Sequence, residues 1–100
     1  MRELKTRDLG KGSQILKKMG VKLSGTTEEE VGMSLLLSMA ENYHHAEQEI
    51  AELMADLIGD GMTKDKFLDL ELDDSMKYFK EFAGLKSVGP FFNMLKLAST

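Results

Sequence analysis

One apolar seam in the middle of the chain constrains the fold more than any other feature. Its seven residues follow one another at spacings of 3, 4, 3, 4, 3 and 4: Leu36, Met39, Tyr43, Ala46, Ile50, Leu53 and Leu57. No Pro or Gly interrupts the seam, and this spacing places all seven side chains on one stripe of an α-helix. A stripe of this length must be covered, either by the rest of the chain or by another molecule.

The composition bounds the class of protein. The chain has 100 residues, of which 42% are hydrophobic, so we expect residues 1–100 to form a single helical domain with one modest core. Cys is absent, which excludes disulfides, a thiol nucleophile and a Cys-based zinc site. No apolar run approaches the length of a membrane span.

Helix start and stop signals predict an all-α fold with four to five helices, a compact bundle around one long central helix. The predicted boundaries are a first helix from Thr6 or Arg7 to Met19, a second from the Thr27 cap to about Ile58, a third from the Thr63 cap through Phe67 and Leu68, a fourth from Asp73 or Asp74 to about Gly84, and a fifth opened by Ser87-Val88-Gly89-Pro90. In the fourth helix we expect Met76, Phe79 and Ala83 to face inward. Gly10 and Gly12 should each weaken the first helix by roughly 1 kcal/mol relative to Ala.

Charge is divided unevenly along the chain, whose net charge is −4. Residues 1–23 carry seven Lys or Arg against Glu3 and Asp8, whereas no Lys or Arg lies between Lys22 and Lys64. The positions beside the central seam hold three acidic residues and no cation: they are Asn42, Glu47, Glu49, Met54 and Asp56. In a parallel pair of two copies, the acidic side chains of one helix would lie near those of the other and repel them, which argues against a simple homodimeric coiled coil. The acidic flanks are expected to lie near the basic first helix or near a basic partner.

The basic face of the first helix, formed by Arg7, Lys11 and Lys18, is a candidate partner-binding surface. The net negative charge of the chain disfavours DNA binding. A solvated amphipathic face is the simpler interpretation, since Lys and Arg are usual surface residues.

No residue pattern indicates catalysis, a cofactor or a metal. His44 and His45 are adjacent and diverge by about 100° on a helix, and position 48 is a Gln where the helical metal pair would place a second His. Glu41, His45 and Glu49 share a stripe, which is most simply a solvated surface. We therefore expect no catalytic, cofactor-binding or metal-ligating residue.

The C-terminal helix carries adjacent aromatic residues. Phe91 and Phe92 point to neighbouring faces, so we expect one to pack inward and the other, with Leu95, to be available to a partner. The eight Met residues are most simply core filler, although Met is also frequent on adaptable binding surfaces.

Several strings together resemble the small tail assembly chaperones of long-tailed phages and prophages of Gram-positive bacteria. They are Met1-Arg2-Glu3-Leu4-Lys5-Thr6-Arg7-Asp8-Leu9, Ile15-Leu16-Lys17-Lys18-Met19-Gly20, Glu29-Glu30-Val31-Gly32-Met33, Ala46-Glu47-Gln48-Glu49-Ile50, Ala55-Asp56-Leu57-Ile58-Gly59 and Gly89-Pro90-Phe91-Phe92-Asn93-Met94-Leu95. The resemblance covers nearly the whole chain. It departs at Gly10 and Gly12, where members of the family carry bulkier residues.

The resemblance implies a non-enzymatic role in the bacterial host cytoplasm during virion assembly. Such proteins bind the tape measure protein, keep its apolar helices soluble, assist assembly of the major tail protein around it, self-associate, and are absent from the mature virion. The alternatives are a small helical prophage adaptor or regulator acting by protein-protein interaction, and a nucleic-acid accessory protein using the first helix.

Overall fold

The computed structural model describes residues 1–20 and 27–98, without the side chains of residues 28, 29, 31–40 and 98. The described residues form a 3₁₀ turn and five α-helices and contain no strand, which confirms the all-α prediction. The elements are the turn Thr6–Asp8, α1 Leu9–Met19, α2 Glu28–Ile58, α3 Lys64–Leu68, α4 Leu72–Ala83 and α5 Val88–Ala98. The Cα radius of gyration is 12.6 Å, close to that of a compact chain of about 100 residues.

Helices α2 and α3 begin at the predicted threonine caps, and α1, α2 and α4 end where predicted. Two starts differ: α1 begins at Leu9, because Thr6 and Arg7 lie in the 3₁₀ turn, and α4 begins at Leu72, one residue before the predicted Asp73. The hydroxyl of Thr27 accepts a hydrogen bond from the Glu30 amide at 3.1 Å, and the hydroxyl of Thr63 accepts one from the Lys66 amide at 3.1 Å. Both contacts satisfy amides that have no partner within the first helical turn. At the end of α1, Gly20 adopts φ +66°, the left-handed conformation that Gly reaches without a Cβ penalty.

The second half of the central seam forms the core of the molecule. Four seam residues are buried, namely Ala46, Ile50, Leu53 and Leu57, and Tyr43 is half-buried. The predicted placement of Leu36 and Met39 lies outside the described side chains. Because α1 and α5 pack against α2, this chain covers the seam from Ala46 to Leu57.

The long central helix is interrupted at two points. Asn42 and Ala46 leave the helical region, with φ/ψ of −121°/15° and −134°/22°. Neither position is marked by Pro or Gly, so the sequence pattern predicts an unbroken helix there. The two halves of α2 therefore do not share one straight stripe.

The inward face of α4 differs from the prediction. Met76 is 53% exposed and Ala83 is exposed, whereas Phe82 is buried. Phe82 packs edge-on against Phe92 with ring centroids 6.0 Å apart, and Phe79 packs on Phe67 at 5.7 Å. Aromatic side chains bury the largest apolar area, so these contacts set the rotation of α4 and leave the predicted inward stripe partly outside.

Gly12 has a packing role that the sequence pattern missed. A Cβ built on Gly12 would lie 2.8 Å from Cζ of Phe91 and 3.0 Å from Cδ1 of Leu95, whereas a Cβ on Gly10 would meet nothing within 4 Å. The missing side chain of Gly12 therefore makes room for the Phe91 ring between α1 and α5.

Substituting the two glycines should have opposite effects on stability. Gly10→Ala should raise the free energy of unfolding by up to about 1 kcal/mol, because Ala is the better helix former. Gly12→Ala gains the same propensity but forces the Phe91 ring to shift, at a cost of about 1–3 kcal/mol. Urea denaturation of both variants measures the difference, and equal stabilisation by the two would contradict the close contact.

Candidate functional site

The N-terminal segment, residues 1–8, is fixed along the outside of the bundle by hydrogen bonds. The Arg2 amide donates to the Leu57 carbonyl at 2.9 Å, and the Leu4 amide donates to the Ser87 hydroxyl at 2.8 Å. The Ser87 amide in turn donates to the Glu3 carboxylate at 2.9 Å. Hydrogen bonding by the side chain and backbone of Ser87 lowers the pKa of Glu3. The segment is therefore held beside the start of α5.

A buried ion pair fixes the turn of this segment. The Arg2 guanidinium donates to both carboxylate oxygens of Asp8, at 2.8 and 2.9 Å, and the Lys5 amide donates to the same carboxylate at 2.8 Å. Asp8 is only 4% exposed, and its pairing with Arg2 lowers its pKa. Arg2 also contacts Asp56 on α2. The pair thereby joins the segment to the central helix.

A groove separates the N-terminal segment from α5. It has a volume of about 170 Å³ and is lined by Leu4, Lys5, Thr6, Leu9, Ser87, Pro90, Phe91 and Met94. This volume is below the roughly 300–1,000 Å³ of small-molecule sites. The size and the lining suit one or two apolar side chains of another protein. We call it the docking groove.

The exposed face of α5 continues the docking groove along the helix. Pro90, Met94 and Leu97 fall on one stripe, since they are four and three residues apart. Met94 is 54% exposed and Leu97 is 72% exposed. This second stripe was open to sequence analysis, because the same spacing rule that revealed the central seam applies to it. The sequence prediction placed the partner surface at Phe91 and Phe92 instead.

The expectation that one of the two adjacent aromatic residues is available to a partner is wrong for this structure. Phe91 is 6% exposed, Phe92 is 5% exposed and Leu95 is 4% exposed. One core buries both rings because it surrounds α5 on two sides. Phe91 fits against Gly12 of α1, and Phe92 packs against Phe82 of α4. Phe91 also lines the docking groove, so it supports the floor of that groove from the core side.

The basic face of α1 is largely engaged by the acidic flank of α2. The Lys11 ammonium lies 2.5 Å from the Glu52 carboxylate, and Lys18 pairs with Glu49. The Lys18 contact lowers the pKa of Glu49. The acidic flank was expected to lie either near the basic first helix or near a basic partner. In the structure it lies beside the first helix, α1. Arg7 is exposed at the base of the N-terminal segment.

No group of three or more potential metal-ligating side chains occurs among the residues that the structure describes. His44 and His45 are both exposed, with ring centroids 3.8 Å apart. Within the same described ranges, no helix has the length and hydropathy needed to cross a membrane.

The fold and the groove define a small helical protein with exposed apolar surface on α5. Comparison with known proteins found no family model that matches the chain, no similar curated protein and no similar solved structure.

Proposed function

We propose that this protein is a non-enzymatic tail assembly chaperone of a long-tailed phage or prophage, which binds the tape measure protein in the docking groove. The observation that carries the proposal is the exposed apolar stripe of α5 beside a side-chain-sized groove. The sequence resemblance described above supplies the class of client. The small all-α fold is compatible with this role.

The docking groove has the chemistry that an amphipathic helix of the client requires. Such helices insert apolar side chains, spaced three and four residues apart, into a hydrophobic groove. Met94 and Leu4 provide apolar contact, and Pro90 adds a rigid edge. Because Met is flexible and polarisable, Met94 can adapt to the varied apolar residues of a long client.

Basic side chains border the groove and favour a client helix with acidic flanks. Lys5 lines the groove, and Arg7 lies exposed two residues further along the same segment. By contrast, Lys11 and Lys18 face acidic residues of α2. Among the basic residues proposed to bind the partner, Arg7 is therefore the best placed for client contact.

Calorimetry with a tape measure fragment from the same genome tests this assignment. Met94→Lys places a charge in the apolar stripe, so we expect it to weaken binding at least tenfold, or about 1.4 kcal/mol. Binding should also weaken as ionic strength rises, since Lys5 and Arg7 are exposed to screening.

Met76→Lys is the matched control. Met76 is 53% exposed, nearly the same as Met94 at 54%, but it lies on α4. This variant should bind the fragment within about twofold of the wild type, and circular dichroism checks that both variants are folded. If Met94→Lys binds the fragment as tightly as the wild type, the docking groove is not the binding site. If the wild type does not bind the fragment, the tape measure protein is not the client.

A further inference from the structure

A second exposed apolar stripe lies on α4, away from the docking groove. It consists of Leu72, Met76, Phe79 and Ala83, which we call the α4 stripe. Leu72 is 83% exposed and Met76 is 53% exposed, and Ala83 is also exposed. Phe79 is half-buried, with its ring 6.5 Å from that of Tyr43. Leu72 and Met76 are two of the four large hydrophobic side chains that are most exposed among the described residues.

The spacing of the α4 stripe is that of a helix-pairing seam. Its members are separated by 4, 3 and 4 residues, which matches alternating d and a positions of a heptad repeat. Asp73 and Lys80 are then seven residues apart and occupy the same flanking position, e, in successive heptads. Neither side chain has a hydrogen bond or ion pair within the part of the chain that the structure describes, and both are exposed.

We infer that the α4 stripe pairs with the same stripe of a second copy of this chain, with the two helices antiparallel about a two-fold axis. In an antiparallel pair, e positions face e positions across the interface. Asp73 of each copy then lies near Lys80 of the other, which gives two complementary pairs by symmetry. A parallel pair would set the e positions against the g positions, Ser75 and Phe82, and would match no opposite charges. The charge pattern therefore favours a second copy of this chain as the partner of the α4 stripe, and it favours the antiparallel orientation of the two helices.

The paired surface is small, which sets the strength of the association. Stable interfaces bury roughly 1,200–2,000 Å² in total, and a helix of three turns contributes less than this. The dimer is therefore weak and forms at high protein concentration. Its two ion pairs lie at the edge of the interface, so association decreases as salt rises.

Charge reversal with two complementary variants tests the antiparallel pairing. Asp73→Lys sets lysine against Lys80 of the other copy, and Lys80→Glu sets glutamate against Asp73. In sedimentation equilibrium at low salt, each variant alone should dimerise at least fivefold more weakly than the wild type. An equimolar mixture should recover the wild-type association, because every facing pair is again opposite in charge. A mixture as weak as the separate variants would overturn the antiparallel arrangement.

A second pair of variants tests the apolar stripe independently of the charges. Met76→Lys should abolish the dimer, whereas Met94→Lys, with matched exposure on α5, should dimerise like the wild type. Circular dichroism checks that each variant remains helical. A wild-type chain that stays monomeric at millimolar concentration would overturn the inference, and so would a dimer that Met76→Lys leaves intact. These outcomes are separate from the proposed function, whose test depends on Met94 and on the tape measure fragment.

Discussion

Phe91→Ala and Phe92→Ala should each lower the free energy of unfolding by about 3–5 kcal/mol, since both remove a buried ring and leave a cavity. Each ring is at least 94% buried, and the two rings contact each other with centroids 5.4 Å apart. A domain of this kind has a total stability of about 5–15 kcal/mol. The double variant should therefore be largely unfolded at 25 °C. Urea denaturation followed by circular dichroism measures all three variants.

Met94→Ala is the control for these core variants. It truncates a side chain of the same helix that is 54% exposed, so its effect should be about 0.5 kcal/mol or less. A double phenylalanine variant with wild-type stability would contradict the two-sided burial of α5. The comparison also bears on function, because lost client binding by an unfolded variant says nothing about the docking groove. Exposed Met94 is the informative position for binding.

Arg2→Ala should lower the free energy of unfolding at pH 7 by about 3 kcal/mol, the low end for breaking a buried ion pair. The variant leaves the buried Asp8 carboxylate without its guanidinium partner. We place the cost at the low end because the Arg2 side chain is 22% exposed and water can reach the site. Arg7→Ala removes an exposed cation from the same segment and should change stability by about 0.5 kcal/mol or less. Similar losses in the two variants would show that the pairing of Arg2 with Asp8 contributes nothing specific.

The same ion pair should make part of the stability depend on pH. Pairing with Arg2 holds the pKa of Asp8 below its unfolded value of about 3.9. A carboxyl group with a lowered folded pKa contributes stability that is fully present above the unfolded pKa and is lost as pH falls through the folded one. The stability difference between the wild type and Asp8→Asn should therefore be constant from about pH 5 to 8 and shrink below about pH 4. Urea denaturation of both proteins across this pH range measures the difference in the free energy of unfolding. A difference that grows below pH 4 would contradict a lowered pKa of Asp8 in the folded state.

Local sequence signals predicted the helices well because they act through neighbouring residues. Thr27 and Thr63 cap their helices through amides three residues away, and Gly20 and Gly59 follow the last helical residues of α1 and α2. The apolar spacing of the seam predicted that Ile50 and Leu57 would be buried. The interruptions at Asn42 and Ala46 carry no such local mark, so the pattern could not predict them.

The candidate site was harder to predict than the helices. The spacing between residues shows which of them lie on the same face of a helix. It does not show how much of the helix circumference is covered by the core. For α5 the core reaches both Phe91 and Phe92, since Gly12 and Phe82 lie on either side. Among the described side chains of that helix, the exposed ones are then Pro90, Met94 and Leu97. The groove beside them depends on the N-terminal segment, whose position is set by contacts between residues more than 50 positions apart in the chain.

The sequence by itself determined the all-α class, most ends of the helices and the burial of the seam from Ala46 to Leu57, because these depend on short-range hydrogen bonding and on the helical period. Only the tertiary structure decided which side of α4 and α5 is exposed, that Lys11 and Lys18 face the acidic flank of α2, and that Gly12 serves packing. Those outcomes depend on which apolar helix faces pack into one small core. Faces that carry large aromatic side chains are buried preferentially, because these side chains remove the most apolar area from water.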